Sequence, residues 1–209
     1  MGRARKIIDS NPRDLYQTPQ WCINVLAKVI RESLPLPSWI GDLGANDGRI
    51  GITVADSFGV ANNFPSIWFN DLKLDKHLLS KQDDKHFFCD EANLFSVKPP
   101  KELINRRVIY ASNPPFSLAE SFIEWALRRI ALAPEGSVAV FLFRRNWFGS
   151  LKRAHFINQH PPNRIITLAP RPSFDGCGTD ACEYCWAFWF NGKMKSVFWP
   201  ERIELKKGK

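Results

Sequence analysis

Between a run of apolar residues and a helical pattern, Asn113-Pro114-Pro115-Phe116 sets an amide side chain, two imino acids and an aromatic ring in four consecutive positions. The prolines hold the backbone extended and remove two N–H donors, which leaves the Asn113 side-chain oxygen and a proline carbonyl as acceptors. Two acceptors so placed can grip one planar amino group, and Phe116 offers an aromatic face to the ring that carries the amine. A rigid turn would use the same residues. The motif's place argues for chemistry, because it follows the fourth predicted strand and a glycine-rich first turn.

That first turn is Ile40-Gly41-Asp42-Leu43-Gly44-Ala45-Asn46-Asp47-Gly48. Gly44 lets the backbone approach a ligand closely, and Gly48 precedes a helix whose free N–H groups favour a polar ligand. Asn46 stands where a dinucleotide-binding fingerprint would have glycine, which lowers the NAD reading. Asp71 ends the second predicted strand, where a carboxylate can accept both hydroxyls of a ribose. At the end of the third, in Phe88-Cys89-Asp90-Glu91-Ala92, Asp90 can accept from an adenine amino group while Phe88 or Ala92 packs on the ring. Each feature has a plainer explanation as a turn or a cap. Their order is more informative, since all lie at carboxyl ends of strands, where open α/β sheets bind ligands.

These residues need a scaffold, and the hydropathy pattern supplies one. Apolar runs at 39–43, 66–70, 86–89, 107–111, 137–143, 164–168 and 183–190 predict seven strands alternating with helices, hence a mixed sheet covered on both faces. The last two lie too close for a covering helix between them, so an antiparallel pair is expected. Helices are predicted over 20–33, with Thr18 as N-cap and Pro19 at the first helical position, over 49–58, and over 117–133 behind a Ser117/Glu120 capping box.

Of 209 residues, 44% are hydrophobic and 24% charged, which excludes a disordered or collagen-like chain. No apolar run is long enough to span a bilayer and the first residues lack the apolar core of a signal peptide, so a cytoplasmic protein without membrane attachment is expected. The organisation expected is a basic arm over 1–15, one domain over 16–200 and a basic tail over 201–209. A net charge of +8 with eight tryptophans suits a polyanion with stackable bases. Arg144, Arg145, Lys152 and Arg153, just past the fifth strand, are placed to follow a phosphate backbone, although a solvated basic face fits them equally.

Five cysteines and no extracellular signal point to reduced thiols. Cys177, Cys182 and Cys185 have a partial iron–sulfur spacing, but no fourth local ligand completes it, and His77, His86, His155 and His160 show no ligand spacing. No metal is assigned.

With these residues in view, the sequence resembles the class I S-adenosylmethionine-dependent methyltransferases. Within them it is most similar to the small phage-type and mobile-element DNA adenine-N6 methyltransferases. The resemblance runs through Asp14-Leu15-Tyr16-Gln17-Thr18-Pro19, Asn113-Pro114-Pro115-Phe116, and Arg171-Pro172-Ser173-Phe174 followed by Gly178-Thr179-Asp180 and a Trp-rich strand. It implies a Rossmann-like fold with S-adenosylmethionine as cofactor. Tyr16, Thr18 and Pro19 would contact that cofactor, Asp42, Gly44, Asn46 and Gly48 would surround its methionine end, Asp71 would hold the ribose, and Asp90 with Glu91 the adenine. Asn113, Pro114, Pro115 and Phe116 would be catalytic, with Asn113 also near the cofactor, and Arg171 joins the basic residues facing nucleic acid. The implied setting is a bacterial cell or phage-infected host.

Only loops near 143–160 and 169–181 remain for target contact, so specificity is expected to be short or completed by a homodimer or partner subunit. Methylation of RNA adenine, methylation of a protein glutamine, and a catalytically silent nucleic-acid-binding module are the rival readings.

Overall fold

Five-residue strands buried along their whole length form the middle of the molecule, as β1 (Trp39–Leu43) and β4 (Val108–Ser112) do in this computed structural model. It describes residues 17–59, 64–80, 86–174, 180–192 and the backbone of 200–204. The other strands are β2 (Ser66–Asp71), β3 (Phe87–Glu91), β5 (Val138–Arg144), β6 (Arg164–Ala169), β7 (Tyr184–Phe190) and β8 (Pro200–Glu204). They form one sheet in the order β3-β2-β1-β4-β5-β7-β6-β8. β1 to β5 pair in parallel, and β7 runs antiparallel to both β5 and β6. All seven expected strands are present. The eighth, parallel to β6, lies at the start of the stretch read as a basic tail.

Side chains alternate between two cores because successive residues of a strand face opposite ways. One face carries Ile40, Phe69, Ala111, Val140 and Trp186 against helices α1 (Gln20–Ser33) and α2 (Arg49–Asp56). The other carries Trp39, Trp68, Tyr110, Phe141 and Trp189 against α4 (Ala119–Ile130). The short helices α3 (Lys76–Leu79) and α5 (Ala154–Gln159) complete the set. The α4 face is aromatic: Trp125 stacks on Trp68 at 5.9 Å and meets Tyr110 edge-on at 5.3 Å. Gly41 makes room for that layer, since a Cβ there would lie 2.6 Å from the Tyr110 ring. Burying each large apolar side chain of this kind contributes about 1.5–3 kcal/mol. Among the described residues no helix is long and apolar enough to cross a membrane.

Two helix starts differ from the sequence expectation. Pro19 is the N-cap of α1, with ψ 137° and its carbonyl accepting from Cys22 N at 2.9 Å, and the buried Thr18 makes no capping bond. The Ser117/Glu120 capping box does not form. The chain leaves the prolines in a turn, Leu118 N donating to Pro115 O at 2.9 Å, so α4 begins two residues late with Leu118 as N-cap. Glu120 pairs instead with Arg153 at 3.5 Å.

Candidate active site

The strand order reverses between β1 and β4, and both strands end at the same edge of the sheet. Beyond β1 the chain takes left-handed backbone three times in five residues, at Gly44 (φ 67°), Asn46 (φ 51°) and Gly48 (φ 73°). Asn is among the few side-chain-bearing residues that adopt this conformation readily, which explains how it stands where glycine was the reference. Gly48 has no such latitude, because a Cβ would sit 2.8 Å from both Phe69 and Leu78. At Gly44 a Cβ would touch Phe122 and Ser112 at ordinary contact distances of 3.8 and 3.9 Å, so there the left-handed backbone and not crowding calls for glycine.

The loop is held by its neighbours. Gly44 and Ala45 amides donate to the Asn70 carbonyl at 2.7 and 3.1 Å, and the Asn46 amide to Asp71 Oδ2 at 2.9 Å. Asp42, 1% exposed, accepts from Gly51 N at 2.8 Å in the first turn of α2, while its Oδ1 is buried without a partner among the described residues. Burial pushes its carboxyl up to about 8, and Asp47 and Asp71 add to the rise. Asp42 therefore props the loop–helix junction. Arg49 bonds Asp47 through Nε at 2.7 Å and reaches the Thr18 carbonyl at 3.4 Å, bringing Thr18 and Pro19 beside the loop. Tyr16 lies outside the described residues.

Along the edge, Asp71 stands at the end of β2 and Asp90 and Glu91 at the end of β3. Asp90 accepts from the Trp68 indole at 2.6 Å, and Glu91 from Leu74 N at 3.0 Å. The buried Asn70 side chain donates to the carbonyls of Asp90 and Ala92 at 3.2 and 3.0 Å, so one residue joins the first loop to the third strand.

On the other side of the reversal, the buried Ser112 hydroxyl donates to the Leu43 carbonyl and locks the end of β4 to the end of β1. Asn113 follows directly, then the buried Pro114, Pro115 and a half-buried Phe116. The Arg144 guanidinium lies 5.0 Å from the Phe116 ring centroid. Its Nε donates to the Tyr184 hydroxyl at 2.9 Å, and that hydroxyl donates to Asp180 Oδ2 at 2.8 Å. The Phe174 ring lies 4.8 Å from that of Tyr184. Burial works against ionisation of Asp180, yet bonds from the Cys182 amide and Tyr184 and the charge of Arg144 together hold its carboxyl below the usual carboxylate range.

Of the basic residues named from the sequence, Arg144 is in the cluster just described, Arg153 pairs with Glu120, and Arg171 donates to the Ala181 carbonyl at 3.1 Å, while the Arg145 main-chain amide donates to the Glu183 carbonyl at 2.7 Å. Lys152 is exposed. Of the cysteines, Cys182 packs against the α1 face and Cys185 is buried in the opposite core, where desolvation raises its thiol to about 12. Cys177 lies outside the described residues.

Sequence reasoning passed over Asn70, Ser112 and Tyr184 and gave Phe174 and Asp180 no role. A polar residue closing an apolar strand was the available signal for Asn70 and Ser112, because a buried side-chain donor must find an acceptor.

The same overall fold occurs in solved structures. A Listeria monocytogenes protein assigned as a candidate class I S-adenosylmethionine-dependent methyltransferase superposes with a TM-score of 0.62 at 16% identity, over 89% of this chain and 64% of its own. The fold is that of the class I methyltransferases. The M protein of the type I restriction enzyme EcoKI matches with a TM-score of 0.59 at 13% identity, over 88% of this chain and 45% of its own. A candidate RNA methyltransferase of Pyrococcus horikoshii matches with 0.58 at 11% identity, over 84% of each chain. The present chain thus spans less than two thirds of the Listeria and EcoKI chains. No protein-family model matches the sequence, and no curated protein matches it.

Proposed function

We propose that this protein transfers a methyl group from S-adenosylmethionine to the N6 amino group of adenine in nucleic acid, with DNA favoured over RNA. The observation that carries the reading is the position of Asn113-Pro114-Pro115-Phe116, directly beyond β4 at the reversal of the sheet and locked to the Gly44–Gly48 loop through Ser112 and Leu43.

The residues fit the cofactor chemically. Asp71, Asp90 and Glu91 offer carboxylates along one edge for a diol and an exocyclic amine, with Thr18 and Pro19 beside the Gly44–Gly48 loop. Bound there, S-adenosylmethionine would supply a methyl group made electrophilic by its sulfonium.

The chain's own part is to orient the acceptor. An adenine amino group is a poor nucleophile because its lone pair is delocalised into the ring. The Asn113 side-chain oxygen and the Pro114 carbonyl accept hydrogen bonds from its two N–H groups and draw the nitrogen toward a tetrahedral, reactive form; once methylated, the amine would release its surplus proton to solvent, so no separate general base is needed. Holding it in line with the methyl lets proximity do much of the work. Phe116 stacks on the base. A base inside a duplex reaches this site only by flipping out, at roughly a few kcal/mol. The +8 charge favours the polyanion, and target choice falls to the loops near 143–160 and 169–181 or to a second subunit.

The test is mass analysis of nucleosides from DNA and RNA incubated separately with the protein and labelled cofactor. N6-methyldeoxyadenosine is the expected product. Label confined to RNA would move the substrate, label on a protein glutamine would remove nucleic acid from the reading, and no cofactor binding by titration would leave a silent binding module.

A further inference from the structure

Phe116 begins the turn that leads from the prolines into α4, and a half-buried ring in such a turn has freedom to rotate unless something holds it. The ring packs on the edge of the α1-side core, and over it lies Arg144, its guanidinium carbon 5.0 Å from the ring centroid. A cation over an aromatic face is a weak contact where water reaches it, so alone it would fix little. Here the guanidinium is itself anchored. Nε donates to the Tyr184 hydroxyl at 2.9 Å, Nη2 approaches Asp180 Oδ2 at 3.5 Å, and the Tyr184 hydroxyl donates to that same oxygen at 2.8 Å.

The anchor has a rigid base. Arg144 closes β5, Tyr184 opens β7, and the two are direct partners in the antiparallel ladder. Tyr184 is buried while the Arg144 side chain is 40% exposed, so the root of the cluster is in the core and its tip reaches the edge of the site. An arginine side chain is otherwise rich in rotamers, and this arrangement spends that freedom on folding and not on binding.

We propose that Arg144 is a positioning residue: gripped by Tyr184 and Asp180, it presets the Phe116 ring as a wall of the substrate slot. The inference rests on the reading that Phe116 faces the target base. Two consequences follow. A wall already in place need not be ordered when substrate arrives, so its loss raises the substrate requirement more than it slows turnover. Lysine is no replacement, because it keeps the charge but lacks the planar fork that meets Tyr184 and Asp180 together.

The experiment places 4-fluorophenylalanine at position 116 of the full chain and records its fluorine spectrum without nucleic acid. The parent resonance is expected to move and broaden in both Arg144→Lys and Tyr184→Phe, the latter keeping the buried ring. An unmoved resonance in both variants, each melting like the parent, overturns the proposal. The second arm follows adenine methylation of a short single-stranded oligodeoxynucleotide. Arg144→Lys is expected to raise KM about fivefold to tenfold with kcat nearly unchanged. That loss should vanish in a Phe116→Ala background. An equal loss in both backgrounds overturns the coupling between Arg144 and the ring. Absence of methylation by the parent overturns the adenine reading alone, and the fluorine arm still decides whether Arg144 sets Phe116.

Discussion

The two halves of the candidate site are built by different means. Beyond β1, β2 and β3 the site is held largely by backbone: left-handed residues close together in sequence, with loop amides donating to Asn70 and Asp71 on the next strand. Beyond β4, β5 and β7 it is held largely by side chains from separate segments, with Phe116, Arg144, Asp180 and Tyr184 meeting at the end of an antiparallel ladder. Backbone bonds between neighbouring strands come with the fold. A side-chain cluster depends on each member, so the second half is the one that single substitutions can retune without disturbing the first.

That contrast can be broken most sharply at Asn113. Asn113→Ala should cut turnover by about 10²–10³, as removal of a group acting on charge developed in the transition state does, while cofactor affinity stays near that of the parent. Single-turnover kinetics with a cofactor titration separates the two, and equal losses in both would merge the halves. Asp71→Ala should do the reverse. It removes the acceptor of the Asn46 amide together with a charge-assisted bond worth about 1.5–3 kcal/mol, so calorimetry should show weakened cofactor binding with methylation rate recovering at high cofactor.

Gly48→Ala tests the backbone half through stability. The Cβ contacts with Phe69 and Leu78 at 2.8 Å and the φ of 73° should together cost about 1–3 kcal/mol in denaturant unfolding. Asp42→Asn sharpens the same region through pH. The Asp42 carboxyl is raised by burial, chiefly desolvation, to about 8, so the folded state holds a proton that the unfolded chain has lost between about pH 4 and 8. The stability this gives the parent is complete below the unfolded value and fades as pH rises through 8. The Asn variant does not titrate, so thermal melts should match the parent near pH 4, exceed it increasingly up to about pH 8 and keep a constant lead above that. A gap that stays constant with pH would mean that Asp42 does not titrate in this range.

The smallest effect is expected at Lys152, an exposed member of the basic group. Lys152→Ala should weaken nucleic-acid binding uniformly across sequences and flatten the salt slope by about one unit if it meets a phosphate. An unchanged slope would return it to solvent.

Much of this protein was legible in its residues. Seven strands and the helix over 20–33 follow from apolar runs and periodicity, because a strand buried on both faces must be apolar along its length. Asn113-Pro114-Pro115-Phe116, the Gly44–Gly48 turn, Asp71 and Asp90 could be placed at strand ends for the same reason, each being contiguous with the strand that carries it. What local sequence could not decide was which distant groups would meet. The Ser117/Glu120 pattern is sound helix chemistry, yet the proline turn delayed the helix and Glu120 found Arg153 instead. Asn70 and Ser112 became struts only because the sheet order sets β3 beside β2 and β4 beside β1. Charge and place past the fifth strand offered Arg144 as a phosphate contact or part of a solvated face, and only the β5–β7 ladder, joining residues forty positions apart, put Tyr184 and Asp180 within its reach. The sequence by itself determined the strands, their ends and which residues stand there, since those depend on neighbours along the chain. Tertiary structure alone decided which side chains neutralise and orient one another, since a hydrogen bond depends on distance in space and not on separation in sequence.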